Sequence, residues 1–221
     1  MNPLNATIKM DEVSNRDEAL VLCKKQGIYA LLSKKQGRVD ALILKKPAGI
    51  VLSPGIKITY VKKGNRGHLI IIEDLVIEDI PFLLARHDIV FLHALLEIIF
   101  HHGTLNDDHL FLFSFMEMMY VNSFFWKDKM SIKKRVICYL FVHFSLYPDD
   151  PFFSETVAFL SKIPIDKIET IDLQLEQEHV LDVWIMWSIY YYPQGRWMKV
   201  LPALLVNTEM KKERAAYEDT Q

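Results

Sequence analysis

The sequence predicts an α+β chain of two domains, in which a small β-barrel over residues 1–80 precedes an all-helical domain over residues 81–208. Two observations predict this order. Short apolar runs with a period of two residues, separated by turn residues, occupy the first segment. After Ile80-Pro81 the apolar residues follow the period of a helix, since a proline there disfavours a continuing strand. Residues 209–221 are polar and are expected to form a tail.

Five runs in the first segment alternate apolar and polar residues in the manner of strands. Turns are expected at Gln26-Gly27, at Gly37 and in the GNRG segment at 64–67, because glycine adopts positive φ without strain. The strands are predicted over residues 18–25, 28–34, 38–46, 56–63 and 68–79. Their number and spacing are typical of a five-stranded Greek-key barrel of the oligonucleotide-binding (OB) type, and an SH3-like barrel fits nearly as well.

Six helices are predicted in the second segment. The first covers residues 82–102 and ends before Gly103, which suits a helix C-terminus. Its expected buried face consists of Leu84, Ile89, Leu92, Leu95, Leu96 and Ile99. The other helices are predicted over residues 107–122, 131–145, 151–163, 174–190 and 197–208, with Pro202 bending the last.

The net charge of −2 conceals a division of charge along the chain. Residues 1–77 contain 13 Lys and Arg against 7 Asp and Glu, a net charge of +6. Residues 78–205 contain 10 against 17, a net charge of −7. Between Ile28 and Ile72 the only acidic residue is Asp40. A segment charged so unevenly produces a local field that attracts polyanions.

The basic residues of the predicted barrel fall at strand ends and in turns, where several could line one groove. Such a groove attracts the phosphate backbone of a nucleic acid. The candidate contacts are Lys24, Lys25, Lys34, Lys35, Arg38, Lys45, Lys46, Lys57, Lys62, Lys63 and Arg66. Tyr29 and Tyr60 are the aromatic residues available for stacking on bases. The alternative is a barrel whose lysines only keep it soluble and blunt its sheet edges.

One basic cluster lies in the otherwise acidic second segment. Beside a hydrophobic groove it would suit an acidic peptide with an apolar end. The cluster consists of Lys127, Lys129, Lys133, Lys134 and Arg135. The alternative is a solvated loop and helix face. The Met-rich segment at residues 116–120 is expected to be core, with an adaptable binding groove as the alternative.

No motif of a catalytic or nucleotide-binding site occurs in the sequence: it has no Walker loop, no G-x-S-x-G and no G-x-G-x-x-G. Adjacent His101 and His102 on a helix point about 100° apart, so they rarely share a metal ion, even with His109 nearby. No spacing marks a catalytic pair among Glu97, Glu117, Asp149, Asp150 and Glu155. We therefore expect no enzyme, no metal and no cofactor.

The two cysteines, Cys23 and Cys138, are too few for a disulfide framework or a cysteine zinc site. The opening residues are polar, without the apolar stretch of a signal peptide, and the longest apolar runs are too short for a bilayer span. We expect a soluble cytoplasmic protein with two free thiols and no membrane contact.

Three segments resemble one protein family. EALVLCKKQGIYALLSKKQGRVDALI is similar to the opening strands of the bacterial RecO family of DNA repair and recombination mediators. VLSPGIKITYVKKGNRGHLIIIEDLVIED looks like the last two barrel strands of that family, and PFLLARHDIVFLHALLEII like the first helix of its helical domain. These segments lie within residues 18–121, and the rest of the chain is similar only in helical character and length.

The resemblance implies an OB barrel joined to a helical domain. RecO proteins bind single- and double-stranded DNA, anneal complementary strands and help to load recombinase. Their partners are RecR and the acidic, Phe-ended tail of single-strand-binding protein. Many members carry a zinc-binding cysteine cluster in the helical domain, but this chain has only Cys138 there, so it would be a member without the zinc site.

The hypothesis from sequence is therefore a non-enzymatic DNA-binding mediator of recombination and repair. Its lysines and arginines would neutralise the phosphates of two strands and so lower their repulsion. One alternative is a protein-interaction adaptor, which would expose a large apolar patch on its helical domain. Another is an RNA-binding barrel protein, since a basic groove attracts either polymer.

Overall fold

The computed structural model describes residues 16–45, 49, 51–80, 82–103, 109–121, 130–168, 170–171, 173–191 and 198–204. The chain divides into two compact units, one of residues 1–82 and 103–117 and the other of residues 83–102 and 118–221. The first break lies close to the boundary predicted after residue 80. Residues 103–117, however, belong with the barrel and not with the helical unit.

Five strands form a closed barrel in the first unit, followed by helices, as predicted. The strands are β1 (Arg16–Lys25), β2 (Ile28–Ser33), β3 (Gly37–Ile43), β4 (Lys57–Arg66) and β5 (Leu69–Asp79). Their order around the barrel is β1-β2-β3-β5-β4, and β4 closes it on β1. All neighbouring pairs are antiparallel except β3 and β5, which are parallel over three residue pairs.

Period-two alternation fills the barrel. Along β3 buried and partly exposed residues alternate without interruption, so that Val39, Ala41 and Ile43 point inward. The side chains of Tyr29 and Tyr60 lie in the same interior, with 2% and 1% of their surface exposed. Gln26 and Gly27 make the β1–β2 turn with positive φ of 50° and 84°, as the turn prediction requires.

The outer face of β1 and β2 is covered as well. Leu20 and Leu32, a cross-strand pair, point away from the interior yet are buried. Lys57 is the β4 neighbour of Leu20, and its ammonium group lies 5.4 Å from the centre of the Phe113 ring. Phe113 lies in the described residues 109–121, in the part of them that belongs to the first unit, and it packs beside this outer face through Lys34 and Lys57.

The described helices are α1 (Phe82–His102), α2 (His109–Val121), α3 (Met130–His143), α4 (Pro151–Leu160) and α5 (Leu175–Tyr190), with a 3₁₀ turn at Ile165–Lys167. Residues 200–204 are also helical. Their bounds agree with the predicted ranges to within a few residues, and the other residues of the helix predicted over 197–208 lie largely outside the described ranges. No described helix is long and apolar enough to cross a membrane.

The first helix departs from its prediction at Asp88. The backbone there is extended, with φ −156° and ψ 78°, so α1 is two helical segments joined at a break. Asp88 Oδ1 accepts a hydrogen bond from the backbone N of Phe91 at 2.8 Å, which caps the second segment. Leu92, Leu95, Leu96 and Ile99 are buried as predicted. Ile89 is exposed, because the break rotates the helix face, and Leu84 lies where side chains are not described.

Candidate nucleic-acid interface

Two hairpin turns flank the C-terminal half of β3. The strand register connects Lys24 on β1 with Tyr29, Ala41 and Ile70 on the next three strands, and with Asn65 on β4. The β1–β2 turn follows Lys24 and Lys25, and the β4–β5 turn follows Arg66. Both turns therefore lie within a few residues of one row across the sheet.

Six predicted basic contacts lie at or near this row. We call them the hairpin set: Lys24, Lys25, Arg38, Lys45, Lys62 and Arg66. Lys24, Lys25, Lys45 and Arg66 are exposed. Lys25, Lys45, Lys62 and Arg66 form no ion pair with any residue that the structure describes. Their charge is therefore available to a ligand.

Arg38 joins this set through Cys23. The half-buried Cys23 thiol has a raised pKa because burial disfavours the thiolate, while Arg38 and, more weakly, Lys25 act in the opposite direction. Both cations thus act on the same thiol from β3 and β1. Asp40, on the outward face of β3, is the carboxylate that acts on Cys23 and interrupts the positive field.

Three other predicted contacts are committed to carboxylates of the same unit. Glu18 pairs with Lys34 at 3.0 Å and with Lys57 at 2.8 Å, and Lys63 pairs with Glu73 at 2.7 Å. Lys57 also pairs with Glu117. The hydrogen bond from Lys57 is the chief reason that the pKa of Glu18 is lowered. The pairing with Glu117 and Glu18 outweighs burial and raises the pKa of Lys57.

The two ion pairs of Glu18 lie at a polar cavity of about 520 Å³ on the barrel unit, lined by Arg16, Asp17, Glu18, Lys34, Lys35, Lys57, Thr59 and Glu78. Lys35 Nζ donates to the backbone oxygen of Arg16 at 2.5 Å. Because its cations and carboxylates are mixed, this cavity is less suited to a phosphate backbone than the hairpin set.

The predicted stacking role of the tyrosines is wrong for this fold. Tyr29 and Tyr60 point into the barrel core, because their positions fall on the inward side of the alternation. Tyr60 also donates a hydrogen bond to Asp17 Oδ2 at 3.0 Å. Burial and Asp17 raise the pKa of Tyr60, which keeps the hydroxyl protonated. Neither ring can receive a base.

The described residues of the predicted peptide site are engaged within the helical unit. Lys133 is buried and pairs with Asp88, and Lys134 pairs with Asp182. Arg135 is buried, pairs with Glu178 at 3.4 Å and donates to the backbone oxygen of Ile171. These cations hold α3 to its neighbours. Lys127 and Lys129, like Lys46 of the barrel, lie outside the described residues.

Several other residues singled out in the sequence have structural partners. Glu97 accepts hydrogen bonds from the backbone N of Lys199, Val200 and Leu201 at 2.7, 2.9 and 3.1 Å, which caps the helical residues 200–204. Asp150 caps α4 through the backbone N of Phe152. Met116 and Met119 are buried, which favours the core interpretation of the Met-rich segment.

The histidines give no metal site in the described part of the chain. His102 is buried, and burial together with His101 lowers its pKa to about 4. No group of three or more His, Cys, Asp or Glu that could hold a metal ion occurs among the described residues. His109 has no described side-chain environment, so its part in the metal alternative stays a hypothesis.

Two carboxylates that sequence reasoning did not select are central to the barrel unit. Asp17 is buried and accepts hydrogen bonds from Ser33 and Tyr60, and Glu18 holds two lysines. The sequence feature that could have identified them is their position: two adjacent acids stand at the start of β1, just before a segment whose only acidic residue is Asp40. Hydrogen bonds of Asp17 that span 16 and 43 residues leave no trace in local spacing.

Comparison of the chain with protein-family models gave no match, and comparison with curated proteins gave none either.

Proposed function

We propose that the chain binds DNA through the hairpin set and acts as a RecO-like mediator of DNA recombination and repair. The observation that carries this proposal is the group of cations on the two hairpins beside β3, of which Lys25 and Arg66 are exposed and form no ion pair with a described residue. The fold resemblance read from the sequence gives the DNA-repair role. In this proposal the protein binds single and double strands, anneals complementary strands and assists recombinase loading in the cytoplasm.

The barrel topology supports an OB-type assignment over an SH3-like one. The order β1-β2-β3-β5-β4, closed by β1 with β4, combines one parallel pair with four antiparallel pairs. OB folds bind oligonucleotides on the face of strands 2 and 3 and on the loops between strands 1 and 2 and between strands 4 and 5. Those two loops are the hairpins that carry Lys24, Lys25, Lys62 and Arg66.

The proposed mechanism is electrostatic. With both barrel tyrosines buried, contacts fall on phosphates and not on base faces. Neutralising phosphates of two strands lowers their repulsion, so complementary strands approach and pair. RecR and the acidic tail of single-strand-binding protein are proposed partners by the same resemblance. Lys133 and Lys134, which the sequence offered as contacts for that tail, already pair with Asp88 and Asp182 of the unit.

Salt dependence tests the mechanism. If the six cations of the hairpin set each contact one phosphate of a duplex, affinity falls roughly 2,000-fold between 50 and 200 mM salt. Fluorescence anisotropy with labelled single-stranded and duplex DNA measures this slope. An affinity that stays constant across this range would contradict phosphate binding.

Charge reversal locates the site. Lys25→Glu with Arg66→Glu should weaken binding to all sequences alike and reduce the salt slope by about two. Lys162→Glu with Lys167→Glu makes the same change in net charge on the helical unit and serves as the matched control. Lys34→Gln should leave the slope unchanged because Glu18 already neutralises that cation. Equal losses in the site and control variants would contradict the assignment.

Competition with RNA tests the nearest rival. Unlabelled RNA of the same length and base order is titrated against bound single-stranded DNA. An RNA that displaces DNA at much lower concentration than DNA itself favours the RNA-binding alternative. A strand-annealing assay then separates a mediator from a passive DNA-binding protein.

A further inference from the structure

A cavity of about 500 Å³ lies between α4 and α5 in the helical unit. It is lined by Phe152, Glu155, Thr156, Gln174, Glu176, Gln177, His179 and Val180. A volume of this size is within the range of clefts that take a bulky ligand group. Phe152 is 51% exposed, although a phenyl ring on a protein surface loses the free energy that burial would provide.

An exposed stripe runs from this cavity along α5. His179, Val183, Met186 and Tyr190 follow one another at intervals of four, three and four residues, so they share one helix face. Val183, Met186 and Tyr190 have 36%, 42% and 61% of their surface exposed. We call these four residues the α5 stripe. Trp184 and Ile185, on the opposite face, are fully buried, so α5 already has its core contacts.

The charged residues beside the stripe are two carboxylates that no described cation neutralises. Neither Glu155 nor Glu176, which line the cavity at the head of the stripe, forms an ion pair with a described residue. Elsewhere on the unit carboxylates do find cations, as Asp182 pairs with Lys134 and Glu178 with Arg135. Residues 83–102 and 118–205 of this unit contain 10 Lys and Arg against 12 Asp and Glu, a net charge of −2, so Glu155 and Glu176 themselves supply the local attraction for cations.

We propose that the cavity and the α5 stripe together bind a basic amphipathic helical segment of a partner protein. Apolar side chains of that segment would lie along Val183, Met186 and Tyr190, with one bulky side chain in the cavity against Phe152. Its Lys or Arg residues would pair with Glu155 and Glu176. The two carboxylates also disfavour nucleic acid at this surface.

A peptide selection tests the chemistry of the partner. A phage library of random 16-residue peptides is selected on the immobilised full-length chain. Enriched peptides should carry a net charge of about +3 or more, with apolar residues at helical spacing. Enrichment of acidic or uncharged peptides, or none beyond the empty support, overturns the proposal.

Variants locate the binding of a selected peptide, measured by fluorescence anisotropy. Glu155→Lys with Glu176→Lys should weaken it about tenfold or more, and Val183→Ser with Met186→Ser by a similar factor. Asp74→Lys with Asp166→Lys makes the same change in charge at residues that line neither the cavity nor the α5 stripe, and should leave affinity within about twofold. Equal affinity for all variants refutes the site.

Two further readouts separate this inference from its rivals. Sedimentation velocity of the unmodified chain should show no concentration-dependent dimer that Val183→Ser with Met186→Ser removes. Such a dimer would assign the surface to a second copy of the chain and overturn the proposal. DNA affinity of Val183→Ser with Met186→Ser, which changes no charge, should equal that of the unmodified protein, so failure of the barrel proposal and failure of this one give different results.

Discussion

At the scale of single residues, the barrel is held together by a buried carboxylate whose role could not be predicted from the local sequence pattern. Asp17 Oδ2 accepts hydrogen bonds from Ser33 Oγ at 2.5 Å and from the Tyr60 hydroxyl at 3.0 Å. Ser33 Oγ in turn accepts from the backbone N of Gln36 at 2.9 Å. Asp17 Oδ1 is buried without a hydrogen-bond partner. The network thus joins three strands and the β2–β3 turn, and the loss of either donor would leave Asp17 with a single hydrogen bond.

Removing the Tyr60 hydroxyl should destabilise the barrel. Tyr60→Phe keeps the ring but leaves Asp17 with one donor fewer, so the free energy of unfolding should fall by about 1–3 kcal/mol. Hydrogen exchange of barrel amides in increasing urea measures it. Ser33→Ala provides the comparison, and the double variant should lose less than the sum of the single losses. Unchanged exchange in Tyr60→Phe would show that the hydroxyl bond contributes nothing.

His102 should make the helical unit sensitive to acid. Burial and His101 lower its pKa from an ordinary value of about 6.5 to about 4. The unfolded chain therefore takes up a proton between these values while the folded chain does not, and stability present at pH 7 is lost as pH falls from 6.5 to 4. The loss corresponds to about 3 kcal/mol for the 2.5 units of pH.

Tryptophan fluorescence in urea at several pH values tests this, because all four tryptophans follow residue 118 and so belong to the helical unit. His102→Leu should flatten the dependence between pH 6.5 and 4. Replacing the exposed His68 of the barrel by Gln should leave the pH dependence of stability unchanged. A slope that survives in His102→Leu assigns it to other groups.

Residue positions were predictable where local pattern decides them, and unpredictable where distant partners do. The alternation of β3 placed Arg38 and Asp40 outward correctly. The same alternation, applied to Tyr29 and Tyr60, would have placed them inside with Leu31 and Ile58. No local rule could give the pair of Lys57 with Glu117, because it depends on where a segment 60 residues away packs.

At the scale of elements, the break in α1 shows how one residue serves two roles. Asp88 caps the second helical segment through Phe91 N and also neutralises the buried Lys133 of α3. The sequence carries a local sign of this, since an Asp before the apolar run IVFLHALL is typical of a helix N-cap. The continuous apolar period from Phe82 onward predicted one uninterrupted helix. The N-cap pattern at Asp88 would have predicted the break correctly.

Substitutions at Asp88 should separate the two roles. Asp88→Asn retains a capping oxygen but removes the charge, which leaves Lys133 without its anion in a buried place; a loss of about 3–5 kcal/mol is expected. In the background Lys133→Met the same substitution should cost less than about 1 kcal/mol. Urea unfolding followed by tryptophan fluorescence gives both values. Similar costs in the two backgrounds would contradict the pairing.

At the scale of the whole molecule, the chain does not divide at the point where its sequence changes character. The period changes at residue 80, and the charge changes sign nearby, yet residues 103–117 belong to the barrel unit. Sequence pattern assigns each continuous segment to one domain, so it cannot predict that the chain leaves the helical unit after residue 102 and joins the barrel unit again. The buried outer pair Leu20 and Leu32 required such a cover, but period-two patterning alone predicted only the inner face.

A chain shortened to residues 1–80 should therefore fold poorly. Without residues 103–117 it would expose Leu20 and Leu32 and leave Lys57 without Glu117. We expect increased binding of a hydrophobic dye and aggregation at micromolar concentration. Size-exclusion chromatography with dye fluorescence compares it with the full chain. In the opposite case, a monomeric fragment with protected barrel amides, the cover is dispensable.

The position of Cys23 allows the folded chain to be labelled on a thiol beside the hairpin set. Cys138 is completely buried and Cys23 is half-buried, and these are the only two cysteines, so a small alkylating reagent has one partly exposed thiol to attack. Because burial raises the pKa of Cys23, the reaction should be slow near neutral pH and faster as the pH rises. A dye attached there reports from beside Arg38 and Lys25. The occupancy of the proposed DNA path can thus be followed in real time on the natural sequence, without an engineered labelling site.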